Sequence, residues 1–221
     1  MTDYAHLSPH CLPIMALTVA ERLEYMKQPR WIAYTRATEI IDELRSLLTY
    51  PKQPRMPNRL IVGDSNNGKT TLIEHFAEKY GEPCVDDDGN AVRPVVLTQA
   101  PTTPDEKGLY HSILNRFWDV RGSSKTVTEL RYQALHLMRS CQVQMLIIDE
   151  MHSLLTGSPM KQREVMNALK FMCNELRIPI VGVGCREAVQ ILHTDPQHAS
   201  RFEVMSLPIW MTVLISKSTG I

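Results

Sequence analysis

Two short stretches of the sequence carry residue types that could do chemistry together. The first is Gly63-Asp64-Ser65-Asn66-Asn67-Gly68-Lys69-Thr70, with Thr71 directly after it. It follows the apolar run Leu60-Ile61-Val62 and opens into Leu72-Ile73-Glu74-His75-Phe76-Ala77, which reads as a helix. The spacing G-x-x-x-x-G-K-[ST] between a strand and a helix suits a loop that cradles polyphosphate. Glycines let backbone N–H groups close around the anion without a Cβ in the way. The positive end of the following helix adds a favourable field. Lys69 is placed to reach the β- and γ-phosphates, and the Thr70 hydroxyl to coordinate Mg²⁺. A Gly/Asn turn between a strand and a helix has the same composition, but both flanks here match the phosphate-binding arrangement.

The second stretch is Met145-Leu146-Ile147-Ile148-Asp149-Glu150. An apolar strand ending in an acid brings a carboxylate to the metal, so Asp149 is expected to meet Mg²⁺ directly or through water. Glu150, next along, could orient and activate an attacking water, the base role in phosphoryl transfer to water. A strand that merely ends in two solvated acids has the same form. The loop upstream favours the chemical reading.

Buried strands alternating with amphipathic helices must position these groups. Val95-Val96-Leu97-Thr98 and Ile178-Pro179-Ile180-Val181-Gly182-Val183-Gly184 read as further buried strands, and Glu203–Leu207 as a last one. The glycines of the second run suit either close approach of a bound nucleotide or tight packing against a helix. Helices are expected over Ile32–Leu48, Glu106–Val120, Lys161–Arg177 and Arg186–Leu192. Capping boxes at Thr18–Glu21 and Thr126–Glu129 start two more. Methionines on the Lys161–Arg177 stripe read as core filler. Gly81–Pro94, with Asp86-Asp87-Asp88, reads as a solvated loop, because a calcium loop needs alternating ligands and a final Glu. The expected fold class is α/β, a mainly parallel sheet with helices on both faces and ligand at the carboxyl ends of the strands.

At 221 residues the chain suits one sizeable domain with a small appendage. Residues 1–57 form a helical extension and a proline-rich linker, 58–210 the core, and 211–221 a divergent tail. A zero formal net charge excludes a globally basic nucleic-acid binder, so any DNA contact must come from a local patch or from assembly. Arg116, Arg121, Lys125 and Arg131 are candidates for such a patch, and a solvated helix face explains them as well. Five scattered cysteines without a C-x-x-C pair argue against a disulfide framework and for a reducing compartment. His6, His10 and Cys11 lie close together but lack a second ligand pair at zinc spacing. With neither a signal peptide nor a long apolar run, the expectation is a cytoplasmic protein with no membrane partner.

Gly63–Thr70, Leu146–Glu150, Gly182–Gly184 and Ser200-Arg201-Phe202 occur in the order seen in AAA+ ATPases, which the chain resembles. More narrowly, Arg30–Tyr34, Arg55–Asn58, Gly63–Thr70, Ile148–His152, Pro179–Gly184 and Leu207–Trp210 are similar to the TniB family of transposition proteins. That resemblance implies a P-loop NTPase of three layers that binds ATP and Mg²⁺ and hydrolyses ATP. It further implies a homo-oligomer on target duplex DNA, without sequence specificity, that communicates with a DDE transposase. By position, Gly63, Asp64, Ser65, Asn66, Asn67, Gly68, Lys69, Thr70 and Thr71 bind nucleotide, Thr70 and Asp149 serve the metal, and Glu150 is the base. Arg201 takes the place of an arginine finger acting on a neighbouring subunit, although a surface pair with Glu203 or Asp195 accounts for it too.

The family's pattern continues into a helical lid, for which residues 211–221 are too short. This suggests a truncated copy that binds ATP weakly and hydrolyses it poorly. Two other functions stay open at this level: a helicase-loader-like ATPase, and a module that binds transposase or full-length partners without turnover.

Overall fold

The five apolar runs picked out above become five strands. The structure is a computed structural model and describes residues 11–28, 31–101, 104–117, 125–193 and 200–208. The expectations for His6, His10, Arg121, Asp195 and residues 211–221 lie outside these. The chain divides into two compact units, one up to Ile32 and one from Ala33 onward.

In the first unit, Thr18 starts helix α1 (Val19–Lys27). Its capping box forms as expected: the Thr18 N–H donates to Glu21 Oε2 at 2.8 Å, and the Glu21 N–H to Thr18 Oγ1 at 3.4 Å.

In the second unit, β1 (Asn58–Val62), β4 (Val95–Gln99), β5 (Met145–Asp149), β6 (Ile180–Gly184) and β7 (Phe202–Ser206) form one five-stranded sheet ordered β4-β5-β6-β1-β7. Every pairing in it is parallel. β1, β4, β5 and β6 are rich in Val, Ile and Leu without alternation, and β5 and β6 are buried throughout. That is the pattern of a sheet covered on both faces. The covering helices are α2 (Thr35–Leu48), α3 (Lys69–Tyr80), α4 (Glu106–Leu114), α5 (Val127–Ser140) and α6 (Pro159–Leu176), with the short α7 (Val189–Leu192) after β6. Each longer helix buries one stripe; on α2 it is Ala37, Ile40, Ile41, Leu44 and Leu47. Met166 and Met172 on α6 are core residues, as expected of filler.

Three elements differ from expectation. Helix α2 begins at Thr35 rather than Ile32, because Tyr34 is extended (φ −133°, ψ 157°) and serves as its N-cap. Helix α4 ends at Leu114 and tightens into a 3₁₀ turn over Asn115–Phe117, where the Arg116 carbonyl accepts from the Arg93 guanidinium. Gly81–Pro94 contains a small hairpin, β2 (Cys84–Val85) with β3 (Ala91–Val92). Its turn is built on Asp86, whose carboxylate accepts the N–H groups of Asp88 at 3.1 Å and Asn90 at 2.8 Å. These bonds, the one from Asn90 first, hold the Asp86 carboxyl below its ordinary pKa. Gly89 supplies the positive φ of 81° that the turn requires. Among the described residues no cluster of His, Cys, Asp or Glu suits a metal ion, and no helix is long and apolar enough to cross a membrane.

The two glycines of β6 serve packing. A Cβ on Gly182 would meet Leu60 Cδ1 at 2.9 Å and Met151 Cγ at 3.1 Å; one on Gly184 would meet Ala188 Cβ at 2.9 Å. All five cysteines are free, and burial pushes the Cys173 thiol up.

A buried amide ties β1 to its neighbour at the amino end of the sheet. Asn58 is 2% exposed, and its Oδ1 accepts the Ile180 N–H at 2.8 Å and the Cys173 thiol at 3.6 Å. Asn58→Ala removes the acceptor and leaves a buried N–H unpaired. It should lower the unfolding free energy by about 1–3 kcal/mol, read as a lower urea midpoint at unchanged slope; an unmoved midpoint would refute the role.

Candidate nucleotide site

The parallel sheet brings the carboxyl ends of β1 and β5 to one edge, with β6 between them. Residues 63–68 leave β1 there and turn into α3. Two backbone positions in this turn are left-handed, Asn66 at φ 58° and Gly68 at φ 75°. Such a conformation points successive N–H groups into one concavity, and Gly68 is the N-cap of the 12-residue helix α3. The loop, its helix start and the ends of β5 and β6 enclose a cavity of about 450 Å³.

Ser65, Asn66, Asn67, Gly68, Lys69, Thr70 and Thr71 line that cavity, together with Glu150, His152 and Cys185. Gly63 and Asp64 are not among the residues lining it. The Lys69 ammonium donates to the Asp64 carbonyl at 2.7 Å, within its own loop. The Thr70 hydroxyl donates to Asp149 Oδ2 at 2.7 Å, and the other oxygen of that carboxylate accepts the Glu150 N–H at 2.8 Å. Asp149 is 3% exposed and is not among the residues lining the cavity, so it reaches the site through Thr70. Glu150 is half-exposed, with φ 58°, and its carboxylate Oε2 lies 3.0 Å from His152 Nε2.

Three long-range contacts hold the loop in shape. The Asn67 side chain is buried and donates to the Leu207 and Pro208 carbonyls at 2.6 and 3.1 Å. Its amide is therefore a fastener to the end of β7, leaving only the backbone of Asn67 to face an anion. Gly63 passes so close to the same place that a Cβ would meet the Leu207 oxygen at 2.8 Å. On the other side, Arg186 grips both oxygens of Asp64 in a fork, at 2.8 and 2.9 Å. Next to it, the Cys185 thiol is pushed up by burial, and the hydrogen bond from that thiol lowers the Glu187 carboxyl.

Arg201 lies elsewhere. It immediately precedes β7, whose first residue pairs with Asn58, so it sits at the opposite end of the sheet from the loop. Its guanidinium donates to Asn174 Oδ1 at 2.9 Å, and to neither Glu203 nor the local phosphate cradle. Two of the basic candidates are also engaged. Arg131 pairs with Glu106 at 2.5 Å and lies over the Phe171 ring, and Lys125 donates to Gln133.

The loop and the acidic pair were legible as motifs. His152, Arg186 and the fastening role of Asn67 were not singled out. A His two residues beyond the acid pair is a visible signal. Nothing in the sequence links Arg186 to Asp64, or Asn67 to Leu207.

Thr70→Val keeps the shape and deletes the hydroxyl that serves buried Asp149. Without any nucleotide present it should lower stability by about 1–3 kcal/mol in a urea titration; wild-type stability would contradict the contact.

Comparison with known proteins gives a family and a fold. The family profile described as Bacterial TniB protein matches residues 22–212. No curated protein matches the chain. The ORC2 protein of Aeropyrum pernix, in ADPNP and ADP complexes, is similar in fold, with TM-score 0.61 and 18% identity over 87% of this chain and 54% of that one. Cdc6p of Pyrobaculum aerophilum has TM-score 0.54 and 15% identity over 80% of this chain and 48% of its own. The Aeropyrum pernix ORC1 protein in complex with DNA has TM-score 0.53 and 15% identity over 83% of this chain and 48% of that one. The chain thus spans about half the length of these three structures. These likenesses carry the fold, which is that of the AAA+ P-loop NTPases, as expected.

Proposed function

The chain belongs to the TniB family, and from that membership and the cradle at the sheet edge we propose that it is an ATP-hydrolysing regulator of DNA transposition. The observation that carries the nucleotide reading is the Thr70–Asp149 contact at 2.7 Å, set beneath a loop with two left-handed positions. It puts a hydroxyl and a carboxylate side by side at the foot of an anion nest. These hard oxygen donors suit Mg²⁺, so the residues present fit the ion. Thr70 would hold it directly, and Asp149 directly or through water. Bound there, Mg²⁺ would neutralise phosphate charge.

In this reading Lys69 exchanges the Asp64 carbonyl for phosphate oxygens, a stronger, charge-assisted partner. The backbone N–H groups of Ser65 to Thr71 surround the polyphosphate. Glu150 takes a proton from the attacking water at its carboxylate, a role worth roughly 10²–10⁴ in rate for a positioned base. Arg201 lies at the far end of the sheet from its own cradle; in this reading it serves the site of a neighbouring subunit, and turnover then depends on a homo-oligomer. The complexes of the fold neighbours, with ADPNP and ADP in one and with DNA in the other, support nucleotide and DNA as ligands here. With zero net charge, binding to target DNA depends on assembly, which sums many modest basic contacts along the duplex. The ATP-bound oligomer then presents that DNA to a DDE transposase in the cytoplasm.

Duplex DNA titrated with wild type and Glu150→Gln, each with ATP, ADP or no nucleotide, tests the proposal. Binding should be tightest with ATP, weaken steeply with salt, and persist on Glu150→Gln after wild type has consumed its ATP. Identical curves in the three nucleotide conditions would contradict a regulator, and equal turnover by the two proteins would contradict the assigned base.

A further inference from the structure

The half-exposed carboxylate of Glu150 does not point freely into the cavity. His152 Nε2 lies 3.0 Å from its Oε2. The other ring nitrogen, His152 Nδ1, accepts the Cys185 N–H at the long distance of 3.5 Å. A neutral imidazole that accepts at Nδ1 must carry its proton on Nε2, so it donates to Glu150. The ring therefore bridges the acidic end of β5 to the end of β6, the strand lying between β5 and β1.

Two further observations show that the bridge is built rather than incidental. Gly184 clears the space for it: a Cβ there would stand 3.3 Å from the His152 backbone nitrogen and 3.5 Å from Nδ1. The Cys185 segment is itself anchored, because Arg186 forks onto Asp64 of the phosphate loop. Glu150, His152, Cys185 and the loop residues Ser65 to Thr71 line one cavity.

We propose that His152 is a positioning residue for Glu150. Held in one tautomer by the Cys185 N–H, it uses its Nε2–H to fix the direction of the carboxylate that takes the proton from water. It touches neither the phosphates nor the metal oxygens in this role and acts through Glu150 alone. The anchor at Cys185 also ties the base, through Arg186 and Asp64, to the loop that holds the substrate. Orientation of the base thus depends on the loop being in its formed shape. This inference rests on the ATPase reading above.

Three measurements on the full chain test it. In nucleotide-free wild type, the ¹⁵N shifts of His152 should report a proton on Nε2 and none on Nδ1. His152→Ala should lower kcat roughly tenfold to a hundredfold, a share of what a positioned base supplies, with ATP affinity unchanged. His152→Gln keeps a donor near the same place and should recover part of that loss. A proton on Nδ1 would overturn the proposal. So would a kcat for His152→Ala equal to wild type, a loss matched by an equal loss of ATP affinity, or His152→Gln no better than His152→Ala. If wild type hydrolyses ATP and His152→Ala matches it, this inference alone fails. If wild type binds ATP without turnover, the ATPase reading fails and this one with it.

Discussion

The site depends on a buried carboxylate that must be satisfied. Asp149 ends the all-buried strand β5 and is itself 3% exposed, in surroundings where an unpartnered charge is costly. Its two oxygens are taken by the Thr70 hydroxyl and the Glu150 N–H. The first bond spans 79 residues and joins the start of α3 to the end of β5. It fixes where the phosphate loop stands relative to the acidic pair. The second helps to hold Glu150 in its left-handed conformation, which turns the chain sharply out of β5 and swings the carboxylate toward His152. One buried group thereby sets both halves of the site.

The loop is held in its curved form by contacts that leave its inner face open. Asn67 fastens it to the chain leaving β7, Gly63 lets it lie against the same carbonyl, and Arg186 braces Asp64 from β6. The backbone bend is therefore supported by contacts from within the fold. The same bracing joins the loop to the ends of β7 and β6, at the edge where a parallel sheet presents its ligand site.

Much of this was readable in advance where the determinants are local. The G-x-x-x-x-G-K-[ST] spacing, the apolar run ending in Asp149-Glu150 and the capping boxes at Thr18 and Thr126 lie within a few residues of each other, and their physics is local too. The sheet class followed from unalternated Val, Ile and Leu runs. What could not be read is long-range. Asn67 reaches a carbonyl 140 positions away, and Arg186 a carboxylate 122 positions away. Either side chain would look the same in a solvated turn. The hairpin at Cys84–Val92 was missed because its strands are two residues long and exposed, too short for any periodicity to register. The β6 glycines read equally as ligand-facing or packed, and the positions of Leu60, Met151 and His152 decided for packing.

In the proposed function the Gly63–Thr70 loop and the Thr70–Asp149 pair form one seat for ATP with Mg²⁺. Isothermal titration of ATP, with and without Mg²⁺, into wild type and Lys69→Ala tests it most directly. The expected result is saturable binding to wild type that Mg²⁺ tightens, and loss of most of that affinity in Lys69→Ala. The same affinity in both proteins, with or without the metal, would contradict it.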